Sequence, residues 1–324
     1  MALLLDGRRA PGTSELVRLA LDTSWVVHRR LSRDPDMVVV AVGPPGGPSR
    51  AIVKLAEGAT AGRQLAHEHA VLRELHASDT LDDWRRLVPE PLAGGDAGSR
   101  RYLAVTLLPG TEARRLLRRR GEALLTRTAA EAIAGLARGS AESTVVGDEQ
   151  LSQWVEEPAA VLAGNVRVGA LRLLEAVQRL DDELRCALAG RRLATGWGHG
   201  DYWLGNVLVS ADGKKTTGIV DWERAAPGDP AVLDLVHLLV TTRALVRRRE
   251  LGSIVRELVT GCGWSAEEER LLASFGDDDV ATRHLVLLAW LRHVANNLSK
   301  RAGYAGHRLW LRNNVVAVLD LFVR

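Results

Sequence analysis

Residues 197–235 read WGHGDYWLGNVLVSADGKKTTGIVDWERAAPGDPAVLDL, and they decide how the rest of the chain is read. Asp201 and Asn206 stand five residues apart in a short loop, and the apolar run 207–209 that follows predicts a strand. A second short strand is expected over 217–220, after the turn Asp212-Gly213, and it ends in Asp221. Two strands joined at Asp-Gly make a β-hairpin. Residues just before and just after such a hairpin can converge on one spot.

Those three polar groups suit phosphoryl transfer, where a protein mainly positions the reactants and neutralises charge. Asp201 can accept the proton of an incoming hydroxyl. Magnesium takes hard oxygen ligands, and Asn206 and Asp221 offer an amide oxygen and a carboxylate. The order of base, Asn and metal-binding Asp follows kinase logic. His199-Gly200-Asp201 with Asn206, then Ile219 to Glu223, Gly228-Asp229-Pro230 and Asp234-Leu235 together resemble the aminoglycoside phosphotransferase and choline kinase family. That resemblance implies a protein-kinase-like α+β fold of two lobes, a small mixed β-sheet lobe and a larger, mainly helical one. It also implies ATP as donor, with GTP left open, and Mg2+ as cofactor. The acceptor is then a hydroxyl on a small molecule. A nucleotide-binding pseudokinase is the alternative, and the intact Lys54, Asp201, Asn206 and Asp221 argue against it. Protein kinase activity is disfavoured, because no Ala-Pro-Glu segment follows Asp221 at activation-loop distance.

Composition sets the outer bounds. At 324 residues, 46% of them hydrophobic, the chain can bury one large core or two modest ones. Aromatics are 4% and mostly Trp, so Leu, Val and Ala must fill most of the interior. A net charge of +3 is too small an excess to argue for nucleic acid. The arginine-rich stretch 114–120 lacks interleaved aromatics and reads as a solvated helix face. Two cysteines, Cys186 and Cys262, give neither a disulfide framework nor metal-ligand spacing, which suits a reducing, cytoplasmic setting. The opening MALLLDGRRAPG is too short for a secretory apolar core, and no apolar run approaches the roughly 20 residues of a membrane helix. No obligate protein partner is evident.

Working back toward the N-terminus, a helix is expected over 13–21 and Val-rich strands over 25–31 and 37–42. A third strand, 51–55, embeds Lys54 among apolar neighbours, where a charge needs a partner. Glu68, on a helix expected over 61–76, is the natural one, with Glu74 as its rival. A strand Lys paired with a helix Glu is how protein kinases orient ATP phosphates, and the resemblance extends to this pair. The strand 101–108 ends at Pro109-Gly110, which sets lobes of 1–108 and 109–324. In the kinase plan this is the adenine-binding hinge, with main-chain groups of Thr106, Leu107 and Leu108 as candidates. Residues 112–189 read as helical, broken near 139–147 and at Pro158, and helices are expected over 232–244, 247–259, 266–274, 279–301 and 306–322.

Other motifs carry less. There is no Walker loop around Gly213-Lys214, and His67 and His69 point to different faces of one helix. His199 is expected to hold the loop rather than do chemistry. Asp229 reads as a helix N-cap, Asp234 as a bonding partner of the catalytic loop, and 277–279 and 267–269 as acidic helix starts. The pattern departs from protein kinases in two places. The loop 32–36 has no glycine, and Ser32 becomes the candidate phosphate contact, as in the looser loops of the small-molecule kinases that the chain resembles. Trp203 stands where protein kinases carry a Lys near the base. The last two helices offer His293, Asn296, Asn297, Asn313 and Asn314 with Arg292 and Arg312 but few carboxylates. That suits a sugar or nucleoside acceptor at least as well as an aminoglycoside.

Overall fold

The computed structural model describes residues 12–21, 24–32, 36–165, 171–275, 279–300 and 307–323. The expectations for residues 1–11, for 33–35 of the phosphate loop, for 277–278 and for the helix start at 306 lie outside them. The first elements are α1 (Thr13–Ala20), β1 (Val26–Arg30), β2 (Met37–Gly43), β3 (Ala51–Ala56), α2 (Ala59–Ala77), β4 (Pro91–Ala97), β5 (Arg100–Thr106) and β6 (Thr111–Glu112). Next come α3 (Ala113–Arg120), α4 (Glu122–Ser140), β7 (Glu142–Val145), α5 (Asp148–Leu151), α6 (Glu157–Asn165), α7 (Leu171–Leu188) and β8 (Arg192–Gly198). The hairpin strands β9 (Val207–Val209) and β10 (Thr216–Ile219) precede β11 (Ala226–Pro230). The chain then continues through α8 (Val232–Arg247), α9 (Leu251–Val259), α10 (Ala266–Ala273), α11 (Thr282–Lys300) and a final helical run over 308–322.

These elements form two units, and the fold is α+β: an antiparallel sheet unit and a mainly helical one. Where the sequence suggests a single break near Pro109, the first unit closes at Ala113 and also takes Asn206–Ala225. The reason is pairing: Thr111 and Glu112 of β6 face Val209 and Leu208 of β9, so the hairpin is tied to the segment that precedes α3. The main sheet of this unit is antiparallel, ordered β1-β2-β3-β5-β4. Alternation on β3 sends Ala51, Val53 and Leu55 into a core with Val17, Val40, Val42 and Ala104. Lys54, flanked across the ladder by Val39 and Leu103, stands on the opposite face.

In the second unit, Trp154, Leu180, Leu184, Val236, Leu287, Trp290, Leu291 and Val318 form one apolar core. A small sheet, β11-β8-β7, lies in this unit too. The break expected over 139–147 falls between α4 and α5 and holds a strand, β7, paired with β8. Two readings change here. Pro158 does not break the chain, because a π turn over Ser152–Glu156 precedes it and Pro158 falls in the first turn of α6, where a missing N–H costs little. Asp229 is not an N-cap: it lies in β11, α8 has Ala231 at its N-cap, and Arg292 Nη2 donates to both Asp229 oxygens at 2.8 and 2.6 Å. Ser265 and Glu268, by contrast, form a capping box at α10, as acidic residues in a first turn should. No helix among the described residues is long and apolar enough to cross a membrane.

Candidate active site

Lys54 is the hub of the sheet unit. Its Nζ donates to Glu68 Oε1 at 2.7 Å, to Glu68 Oε2 at 2.9 Å and to Asp221 Oδ1 at 2.8 Å. Glu68 reaches it because Leu65, Leu72 and Leu75 share its helix face at three- and four-residue spacing, so the apolar stripe of α2 carries the carboxylate inward. The rival Glu74 is exposed. Burial works against the Lys54 ammonium, but Asp221 and Glu68 outweigh it and raise its pKa above that of an ordinary lysine. Burial pushes Glu68 up, and Lys54 offsets this only in part. One buried cation thus bridges a buried carboxylate and one that is half exposed.

The hairpin delivers the other two groups. Ile219 faces Val207 in the ladder, and the Val220 amide donates to the Asn206 carbonyl at 2.9 Å, so Asn206 and Asp221 flank the open end of the same hairpin. Asp221 has φ +65°, a left-handed conformation costing a non-glycine residue about 1–2 kcal/mol. Trp222 secures that bend: it is fully buried, donates Nε1–H to the Ile219 carbonyl and meets Trp84 edge-on. His67 Nε2 donates to the Ala225 carbonyl at 2.8 Å, which ties the segment after Asp221 to α2. An amide oxygen and a carboxylate on one hairpin are a hard-oxygen donor set that fits magnesium. At the expected hinge, the Thr106 amide donates to the Glu90 carbonyl and the Leu107 amide to the Arg50 carbonyl. Both donors are therefore spent within the sheet unit. Ser32 sits at the end of the β1–β2 hairpin, its carbonyl accepting from Arg30 Nε.

Asp201 belongs to the helical unit and has its own supports there. Gly200, at φ +75°, turns the chain out of β8. Asp234, buried on α8, accepts from the amides of His199 at 2.5 Å and Gly200 at 3.0 Å, the loop-bonding role expected of it. Burial pushes the Asp234 carboxyl up, and His199 counters it. His199 is fully buried, takes the Asp201 amide on Nδ1 at 3.3 Å and packs edge-on against Tyr202. Tyr202 in turn donates to the Ala129 carbonyl at 2.8 Å. His199 thus holds the loop. In the loop that carries Asp201, Arg114 stacks over Trp203 at 5.2 Å, bringing a cation to the loop where no local one is evident from sequence.

Sequence does not place two neighbours beside Asp201: His237, which it leaves unmarked, and His293, which it offers only as an acceptor-pocket residue. His237 lies one turn beyond Asp234 on α8, and its Nε2 stands 3.6 Å from Asp201 Oδ1, too long for a hydrogen bond but close enough to act electrostatically. His293, on α11, stacks on His237 with ring centroids 4.8 Å apart. Burial pushes the Asp201 carboxyl up, but His237, His293 and His199 together hold it well below the usual carboxylate range. The i, i+3 spacing of Asp234 and His237 is a signal that could have found the first. The side chains expected to line an acceptor pocket are partly committed elsewhere: Arg292 to Asp229, and Asn314 to the Gly252 amide and Glu250.

With this geometry in view, a family model described as the phosphotransferase enzyme family matches residues 29–273. The chain belongs to that family and is a phosphotransferase of the protein-kinase-like fold. No curated protein matches the sequence. Among solved structures, the chain is similar to spectinomycin phosphotransferase APH(9)-Ia in complex with ADP and spectinomycin, at 13% identity and TM-score 0.51, covering 98% of this chain and 99% of that one. It is also similar to aminoglycoside phosphotransferase APH(3'')-Id from Streptomyces rimosus, at 18% identity, TM-score 0.47, and 83% and 93% coverage. Glucosamine kinase is a third, at 18% identity, TM-score 0.42, and 98% and 96% coverage.

Proposed function

We propose that the protein transfers the γ-phosphoryl group of ATP to a hydroxyl of a small polyhydroxylated molecule in the cytoplasm. The observation that carries this reading is the Lys54 hub, in which one ammonium is held by a helix carboxylate, Glu68, and by the hairpin carboxylate, Asp221. Nothing in a purely structural ion pair calls for the second, half-exposed carboxylate or for the strained backbone beneath it. In a nucleotide site the same arrangement makes sense: Lys54 turns toward the phosphates, Glu68 fixes its direction, and Asp221 and Asn206 hold magnesium. The ion, when bound, neutralises charge developing on the phosphate oxygens.

Asp201 orients the acceptor hydroxyl and takes its proton as the bond to phosphorus forms. Held ionised, the Asp201 carboxylate is ready to accept that proton, and a loose transition state asks little basicity of it until the bond to phosphorus is nearly formed. At the adenine end, the committed amides of Thr106 and Leu107 shift the burden to the Leu108 main chain and to carbonyl oxygens, and Ser32 contributes at the phosphates. For the acceptor, the neutralised Arg292 removes one argument for an anion. An amino sugar, aminoglycoside or neutral sugar then fits as well as a nucleoside, and with an aminoglycoside acceptor the enzyme would confer antibiotic resistance. Acceptor-dependent ADP release from MgATP, across aminoglycosides, sugars, nucleosides and choline, tests this. Release with one class names the acceptor; nucleotide binding with no release on any of them contradicts the transfer reading in favour of a regulatory one.

A further inference from the structure

Asp201, His237 and His293 offer one carboxylate oxygen and two imidazole nitrogens that all lie within 4.8 Å of one another. We propose that these three side chains bind a divalent transition-metal ion of the zinc or cobalt class, and that the bound ion withdraws Asp201 from phosphoryl transfer. The second clause rests on the role given to Asp201 above; the first stands on the geometry alone.

Several features of the cluster point to a ligand. His237 is 8% exposed, and its buried Nε2 has no hydrogen-bond partner among the described residues although it faces Asp201 at 3.6 Å. A buried ring nitrogen left unpaired is costly, and such a group normally bonds something. The three ligands of a tetrahedral zinc ion stand about 3.4 Å apart when each bond is about 2.0–2.1 Å, so the cluster needs to contract by about 1.4 Å at its widest. His293 has the outer support that metal-binding histidines carry, since its Nε2 pairs with the Asn297 amide at 2.9 Å one turn along α11. With the Asn297 amide oxygen turned to an Nε2–H, the ring presents Nδ1 for ligation. A cavity of about 30 Å³, lined by His237, His293, Gly200 and Asp234, adjoins the cluster and has room for a water on the open coordination position. Arg292, also on its wall, is neutralised by Asp229 and does not repel a cation.

Two imidazoles and one carboxylate form a borderline-soft donor set. It selects zinc, cobalt, nickel or copper over magnesium, which the oxygen ligands Asn206 and Asp221 suit. The two sites therefore discriminate between ions by donor type, and an ion at Asp201 occupies the oxygen that would otherwise accept the hydroxyl proton.

The test is a cobalt titration of the full chain without nucleotide or acceptor, followed by its visible ligand-field bands. One Co2+ per chain is expected, displaced by Zn2+ and untouched by excess Mg2+. H237Q and H293Q, on different helices, should each lose at least 10–100-fold in affinity, and N297L should lose within about that range as an outer-shell change. H284Q, which removes a histidine near Glu183 instead, should change nothing. Melting curves confirm that each variant is folded, and either ligand variant suffices if the other is not. Absence of stoichiometric binding, or unchanged binding in the folded His variants, overturns the site. Tight binding with no loss of ADP release overturns only the inhibition, and with it the role of Asp201.

Discussion

At the residue scale the decisive group is Lys54, because its two bonds to Glu68 and one to Asp221 concentrate structure and chemistry in one side chain. K54M strands Glu68, 3% exposed, as an unpaired buried charge, and should lower stability by about 3 kcal/mol in denaturant unfolding. Adding E68Q should restore most of that stability and none of the transfer activity. Recovery of neither would show that the ion pair is not what holds the two elements. The Asp201 carboxyl gives a pH prediction. Its depressed pKa favours the ionised form, a contribution present above the ordinary value of about 3.9 and lost as pH falls through the lower folded value. No acid limb from Asp201 should then appear in kcat/KM near neutrality. H237Q removes the histidine contact that offsets burial most, so that limb should move to higher pH. Lys54, Glu68 and Asp221 were legible in the sequence because each sits in a local pattern: a charge in an apolar strand, a Glu on an apolar helix stripe, an Asp closing a hairpin. His237 with His293 was not, because that pair exists only where α8 and α11 pack.

At the scale of elements, short strands were the blind spot. The β8 segment RLATGWG holds two glycines and β11 reads APGDP, composition that signals turns, and only their mutual pairing makes them strands. Asp229 was misread for the same reason: beside Pro230 and before an apolar helix it looks like a cap, and its true partner, Arg292, is 63 residues away. Two helices give sharper tests. A Cβ on Gly252 of α9 would stand 2.3 Å from the Asn313 carbonyl oxygen, a backbone atom that cannot swing aside. G252A should therefore cost about 1–3 kcal/mol in thermal unfolding, despite the better helix propensity of Ala. On α8, Arg243 pairs with Glu268 and stacks on Trp264 at 4.8 Å. R243A leaves the mostly buried capping-box carboxylate without its counter-charge, held only by Ser265, and should cost about 1–3 kcal/mol, whereas R243A combined with E268Q should cost less.

At the scale of the whole molecule, the two units divide the chemistry as they divide the chain. The sheet unit holds Lys54, Asn206 and Asp221, and the helical unit holds Asp201, the proposed proton acceptor, on a loop fixed by Asp234. Only Leu204 and Gly205 separate that loop, 199–203, from Asn206 along the chain, which is why one stretch of sequence named most of the residues of the proposed site. The acceptor stayed illegible because it depends on side chains from several helices whose partners sequence does not show. The measurement that tests the central claim most directly is D201A compared with the parent chain for both nucleotide affinity and acceptor-dependent ADP release. The account predicts a fall in turnover of about 10²–10⁴-fold with nucleotide affinity nearly unchanged, because Asp201 serves the hydroxyl and not the nucleotide. Turnover that survives the substitution, or affinity that falls in step with it, would contradict the account.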